Sequence, residues 1–152
     1  MIKKVILFLI LNFSALAIGG LFTGNGVSSD WYQNLNQAPW RPPGWMFGFM
    51  WTLIMICFAV YMAHLITLKR TSKKIILLFG IQWFLNVAWN PLFFHYQAIL
   101  AGLITISLLT ILIAFFLFNY KKELETWSLL IAPYFIWLLI ATSLNAYILI
   151  YN

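Results

Sequence analysis

Apolar residues in this chain are gathered into long unbroken runs. They do not alternate as in a half-buried strand, nor are they confined to one stripe as in a surface helix. Five runs stand out, at 5–22, 44–68, 75–95, 98–118 and 127–151. A hydrocarbon layer about 30 Å thick takes about 20 residues of helix to cross. Inside it each segment must satisfy its own backbone hydrogen bonds, which helices do. The pattern predicts an all-α integral membrane protein, a bundle of five transmembrane helices in one domain over residues 1–152. The connections are short except for 23–43, and no internal repeat or low-complexity tract interrupts them.

Composition strengthens this reading. Of 152 residues, 64% are hydrophobic and only 8% charged, against about 25% charged in soluble domains. The net charge of +6 would suggest nucleic acid if it formed one patch. Instead the cations punctuate the runs. Lys3 and Lys4 precede the first, Lys69, Arg70, Lys73 and Lys74 separate the second and third, and Lys121 and Lys122 separate the fourth and fifth. Arg41 alone falls on the other side. The positive-inside rule then places the N-terminus in the cytoplasm and, after five crossings, the C-terminus outside a plasma membrane. A nucleic-acid partner is not expected. Lys-Lys, an apolar stretch and Ala15-Leu16-Ala17 together resemble a cleaved signal peptide. The apolar run continues past Ala17 to Phe22, which favours a retained helix. Cys57 is the only cysteine, so neither an internal disulfide nor a cysteine-built metal site is expected.

Polar residues inside the runs are the candidates for function, because they are costly at membrane depth. Gln82, Asn86 and Asn90 recur every fourth residue and share one helical face, flanked by Trp83 and Trp89. Phe47, Trp51, Ile54 or Met55, and Phe58 share a face of the second run. Tyr134, Trp137 or Leu138, Ala141 and Asn145 share a face of the fifth. Interhelical hydrogen bonding is one role for such amides, and it suits Gln82 and Asn145 best. Asn86 and Asn90, one turn apart beside Trp89, exceed what that role requires. Trp40 and Trp45 fit an interfacial belt. Trp51 lies about 10 Å inside the start at Gly44, counting about 1.5 Å per residue, and Trp137 lies near the middle of its run. Those two indoles suit a cavity opening toward the outer side, able to hold a flat, largely apolar ligand. The fourth run is apolar all round, as a lipid- or partner-facing helix would be, and Gly102 suggests close helix contact there.

Conventional catalytic sets are not expected. Asp30, Glu123 and Glu125 all lie in connections, leaving no intramembrane carboxylate pair. His64 and His95 fall near opposite membrane faces and cannot share one metal. No phosphate loop or nucleophile elbow is present.

Three blocks, WYQNLNQAPWRPPGWMFGFMW (31–51), LNVAWNPLFF (85–94) and APYFIWLLIATSLNAY (132–147), resemble the translocator protein or tryptophan-rich sensory protein (TspO/MBR) family, bacterial type, in order and spacing. The resemblance implies a five-helix bundle, commonly a homodimer. It implies porphyrin binding in a pocket beneath the first loop, with the porphyrin as ligand or substrate and no further cofactor or metal required. Trp51 and Trp137 match the two pocket tryptophans linked to light-driven porphyrin breakdown, and Asn86 matches the amide of the second block. Phe47, Trp89, Asn90, Ala141 and Asn145 fall on the faces these residues define. Trp31, Tyr32, Pro42 and Pro43 match the loop that closes the pocket, with Trp40 and Arg41 between them. The cholesterol-associated pattern is absent, since no Lys or Arg follows Tyr147 or Tyr151. Arg41 stands where the family often has a small polar residue or His; a porphyrin propionate, Asp30 or a lipid phosphate can each pair with it. The expected function is a membrane tetrapyrrole-binding sensor, carrier or scavenger. The alternatives are a photo-oxidative porphyrin-degrading enzyme using Trp51 and Trp137, and a structural partner in a larger membrane complex.

Overall fold

The computed structural model of the chain describes every residue except Thr71. Five helices are long and apolar enough to cross a membrane. They are α1 (Ile2–Val27), α2 (Gly44–Lys69), α3 (Lys73–Asn90, extended by a π-helical turn over Pro91–His95), α4 (Ile99–Asn119) and α5 (Ala132–Tyr151). α1 packs against α2 and α3, α3 against α4, α4 against α5, and α5 back against α2. The five helices form a closed ring.

The interior is filled unevenly along its length, and this positions the site. From Ile54 to Ile66, α2 buries residue after residue, and Ile54, Phe58 and Tyr61 are fully enclosed. Phe58 meets the rings of Tyr61, Phe79, Phe116 and Tyr134, all with centroids within 6.3 Å. Tyr61 closes this half by donating its hydroxyl to the Phe116 carbonyl at 2.8 Å. Nearer its start, Gly44, Gly48 and Thr52 of α2 are exposed and adjoin open space. One half of the ring is therefore solid and the other hollow.

The solid half ends at the basic side. Lys4 donates to Thr67 Oγ1 at 3.1 Å, Lys69 pairs with Glu123 at 2.8 Å, and the Lys74 ammonium stands 5.3 Å from the Phe115 ring centre. These contacts draw the cations of four chain segments to one end. The salt bridge keeps the Glu123 carboxyl below the usual carboxylate range, chiefly through the Lys69 hydrogen bond.

Element boundaries depart from the hydropathy runs in three places. α1 runs on to Val27 and a further helical turn covers Asp30–Gln33, so the long connection is only half irregular. Gly26 does not end the helix; its missing side chain lets Phe94 sit against the backbone. The fifth helix begins at Ala132, after a 3-10 stretch over Glu125–Leu130. Pro133 sits in its first turn, where the missing N–H costs nothing. The third run does reach His95, but its last turn is π-helical: the Tyr96 amide reaches back five residues to the Pro91 carbonyl at 3.0 Å. The fourth helix is apolar on both its faces, but only one of them is exposed. Gly102, Thr105, Leu109, Ile113 and Phe116 are buried, while Ile104, Leu108 and Ile111 are exposed.

Candidate functional site

The hollow half encloses a cavity of about 480 Å³, within the roughly 300–1,000 Å³ usual for small-molecule sites. Each helix contributes through its sequence pattern. The early face of α2 supplies Phe47 and Trp51, and α5 supplies Trp137, Ala141 and Asn145. Phe47 meets Trp137 edge-on at 5.4 Å, and Trp51 meets Tyr134 edge-on at 6.1 Å. These crossed rings make one aromatic wall. α3 supplies Asn86, Trp89 and Asn90 on the opposite side. All eight residues singled out in the helices as ligand-facing thus surround one space.

Their amides are differently engaged. Asn145 accepts from Trp89 Nε1 at 3.0 Å and donates to the Ile99 carbonyl at 3.1 Å, so both ends of its amide are used in holding helices together. Asn90 accepts from the Thr23 hydroxyl of α1 and donates to the Asn86 carbonyl. Gln82, one turn deeper on the same face, is buried and accepts from the Tyr134 hydroxyl at 2.9 Å; it holds α3 to α5 and does not line the cavity. The Asn86 side chain lines the cavity and makes no hydrogen bond within the protein among the described residues. Trp137 is 2% exposed and its Nε1 has no acceptor. A buried donor without a partner costs about 1–3 kcal/mol.

The roof divides the six loop residues. Tyr32 and Arg41 line the cavity, joined by Gln37, whose place the sequence patterns did not show. Trp31, Trp40, Pro42 and Pro43 do not line it. Trp31 packs edge-on against Phe93 at 5.6 Å. Trp40 donates from Nε1 to Ser143 Oγ at 3.0 Å and rests on Tyr147. These contacts fasten the loop to the π-helical turn and to α5. Asn36 adds a clasp: its amide N–H donates to Asn152 Oδ1 at 2.9 Å, and Asn152 Nδ2 returns a bond to the Asn36 carbonyl at 3.1 Å. Burial raises the Tyr32 phenol above its usual pKa, with Arg41 pulling the other way.

Other residues were missed because their type carries no signal. Ile106 and Leu109 of α4 line the cavity yet look like any lipid-facing aliphatics. Gly19 lines it too, and a Cβ there would sit 2.5 Å from Asn90 Nδ2, so the amide packs against bare backbone. Gly102 does mark a close approach, with Asn145, Phe93 and Trp89 all within 3.5 Å of where its Cβ would stand. By contrast Gly44 and Gly48 contact no neighbouring helix and border the open cavity. No carboxylate, imidazole or thiol is among the lining residues. The surface can stack, donate hydrogen bonds and exclude water; it has no proton-transfer pair.

The comparisons with known proteins agree with this architecture. The sequence profile of the TspO/MBR family matches residues 6–151. The chain is 34% identical over 128 residues to a tryptophan-rich protein TspO of Chlorobaculum tepidum, covering 82% of this chain and 81% of that protein. It is 30% identical over 117 residues to a tryptophan-rich sensory protein of Cereibacter sphaeroides, covering 76% and 73%. It is 27% identical over 135 residues to the human translocator protein, covering 83% and 79%. With the profile matched along nearly the whole chain and five membrane-crossing helices in place, this multi-pass membrane protein belongs to the TspO/MBR family.

Proposed function

We propose that this protein binds a porphyrin in the cavity beneath the first loop and serves as a tetrapyrrole sensor, carrier or scavenger. The observation that carries the reading is the cavity wall itself. Two indoles, Trp51 and Trp137, stand on adjacent helices and line one space of about 480 Å³, with the uncommitted amide of Asn86 across from them. Indoles favour stacked or edge-on contact with conjugated planes. The family resemblance supports the ligand class, and it also supports a homodimer in a plasma membrane. Titrating the protein in nanodiscs with protoporphyrin in the dark tests this. We expect saturable quenching of tryptophan fluorescence at micromolar porphyrin, and a several-fold weaker complex for Trp51→Phe or Asn86→Ala. Quenching that never saturates would overturn the reading.

A second reading is supported by the same two indoles together with the lack of acid–base groups around them. Under light and oxygen, an excited porphyrin held against Trp51 and Trp137 undergoes oxidative ring opening, with the indoles steering electron transfer. The Trp51→Phe/Trp137→Phe double variant, loaded in the dark to saturation at a correspondingly higher porphyrin concentration, is then expected to lose the photoproduct. Equal product yield from the double variant removes the catalytic role and leaves binding.

A further inference from the structure

Arg41 differs from the other eight cations of the chain. They collect around the start of α1, the end of α2, the start of α3 and the connection after α4, whereas Arg41 stands at the roof of the cavity and lines it. Its guanidinium carbon is 5.5 Å from the centre of the Tyr32 ring. Tyr32 is buried and wedged against Phe93 and Phe94 at 6.4 and 5.5 Å. The guanidinium therefore leans on a fixed aromatic surface, a favourable cation–π arrangement that limits its wandering. It has no carboxylate partner among the described residues. Asp30, the one acid on this side of the bundle, is exposed and forms no salt bridge there.

Four residues earlier in the same loop, Gln37 also lines the cavity. Its side-chain Nε2 is buried and has no acceptor in the protein. Two donors from one loop, one of them charged, thus border the same roof with nothing to receive them. A guanidinium forms its strongest hydrogen bonds to planar anions such as carboxylates, often through two parallel N–H donors.

We propose that Arg41, assisted by Gln37, anchors a carboxylate carried by the ligand at the cavity roof, so that the site selects acidic flat ligands over their neutral counterparts. The inference rests on the porphyrin reading of the cavity and deepens it: the macrocycle lies against Trp51 and Trp137, and a propionate side chain reaches up to the loop. Arg41 acts here as a specificity determinant, not as a catalytic residue.

The test compares protoporphyrin IX with its dimethyl ester, which has the same ring and no charge. Each is titrated in the dark into the protein in phosphatidylcholine nanodiscs, with tryptophan quenching as the readout. The wild type is expected to prefer the diacid by about tenfold or more, in keeping with a charged hydrogen bond. Arg41→Gln should bring the diacid down to the level of the ester and leave ester affinity unchanged. Arg41→Lys should retain part of the preference, and Gln37→Leu should lose a smaller part. Equal affinity of the wild type for acid and ester would overturn the proposal while leaving porphyrin binding intact. So would an Arg41→Gln variant that weakens acid and ester by the same factor, because the guanidinium then does not discriminate between them by charge. Failure of both ligands to bind the wild type would sink the porphyrin reading, and the anchor with it.

Discussion

Tyr134 shows how one hydroxyl joins the solid half of the ring to the hollow half. Its ring packs edge-on against Phe58 below and Trp51 above, and its hydroxyl donates to Gln82 of α3. Removing the hydroxyl leaves the Gln82 carbonyl oxygen buried without a donor, while removing both polar groups orphans nothing. Tyr134→Phe is therefore expected to lose about 1 kcal/mol, within the range measured for interhelical bonds in membranes. Gln82→Leu/Tyr134→Phe should regain most of it. Denaturation of the four proteins in one detergent checks the cycle. Porphyrin quenching should survive in Tyr134→Phe, since the ring that supports Trp51 stays. The sequence showed that Gln82, Asn86 and Asn90 share a face, and that face does point inward. It could not show that Gln82 is taken by a tyrosine fifty-two residues away, Asn90 by Thr23, and only the Asn86 side chain left over. Periodicity reports direction; partners come from other helices.

At the scale of elements, legibility depended on backbone chemistry. The five helices were readable because lipid admits few alternatives to a helix for a long apolar run. Their ends were less so. Pro91 lies inside the third run and cannot donate to the turn before it. The chain answers with a wider π-helical turn and does not stop. Such turns often occur at functional sites, and this one brings Phe93 and Phe94 beneath Trp31 and Tyr32. Each residue in an α-helix advances about 100°, so losing the extra residue of this turn would swing both rings off the roof. Hydropathy could not find the buried face of α4 either. Against a lipid solvent, the aliphatics that face the bundle and those that face the membrane have the same composition. What separates them is the small and hydroxylated set, Gly102, Thr105 and Thr110, which lies on the buried side.

For the whole molecule, the contacts of Lys4, Lys69 and Lys74 place the basic residues of four segments at one end and the loop carrying Arg41 at the other. By the positive-inside rule the basic end is expected to face the cytoplasm. In a Cys57→Ser background, a cysteine introduced as Asn34→Cys should label with an impermeant maleimide in intact cells, and one introduced as Lys122→Cys only after permeabilisation. The reverse pattern would invert the orientation. The same arrangement gives the chain two ends with different duties. The start of α1 is tied into the solid half, through Lys4 and Thr67. The end of α5 is tied to the roof, where Asn152 and the Tyr151 carbonyl hold Asn36. Coupling between two events on one molecule is reciprocal. Whatever steadies the roof from below also shields the last residues of α5 from a carboxypeptidase, and trimming those residues loosens the roof. Digestion of the chain's tail is thus a gauge of cavity occupancy that needs no fluorescent or coloured ligand. By the same coupling, an affinity tag joined directly after Asn152 would perturb the site it was added to help study.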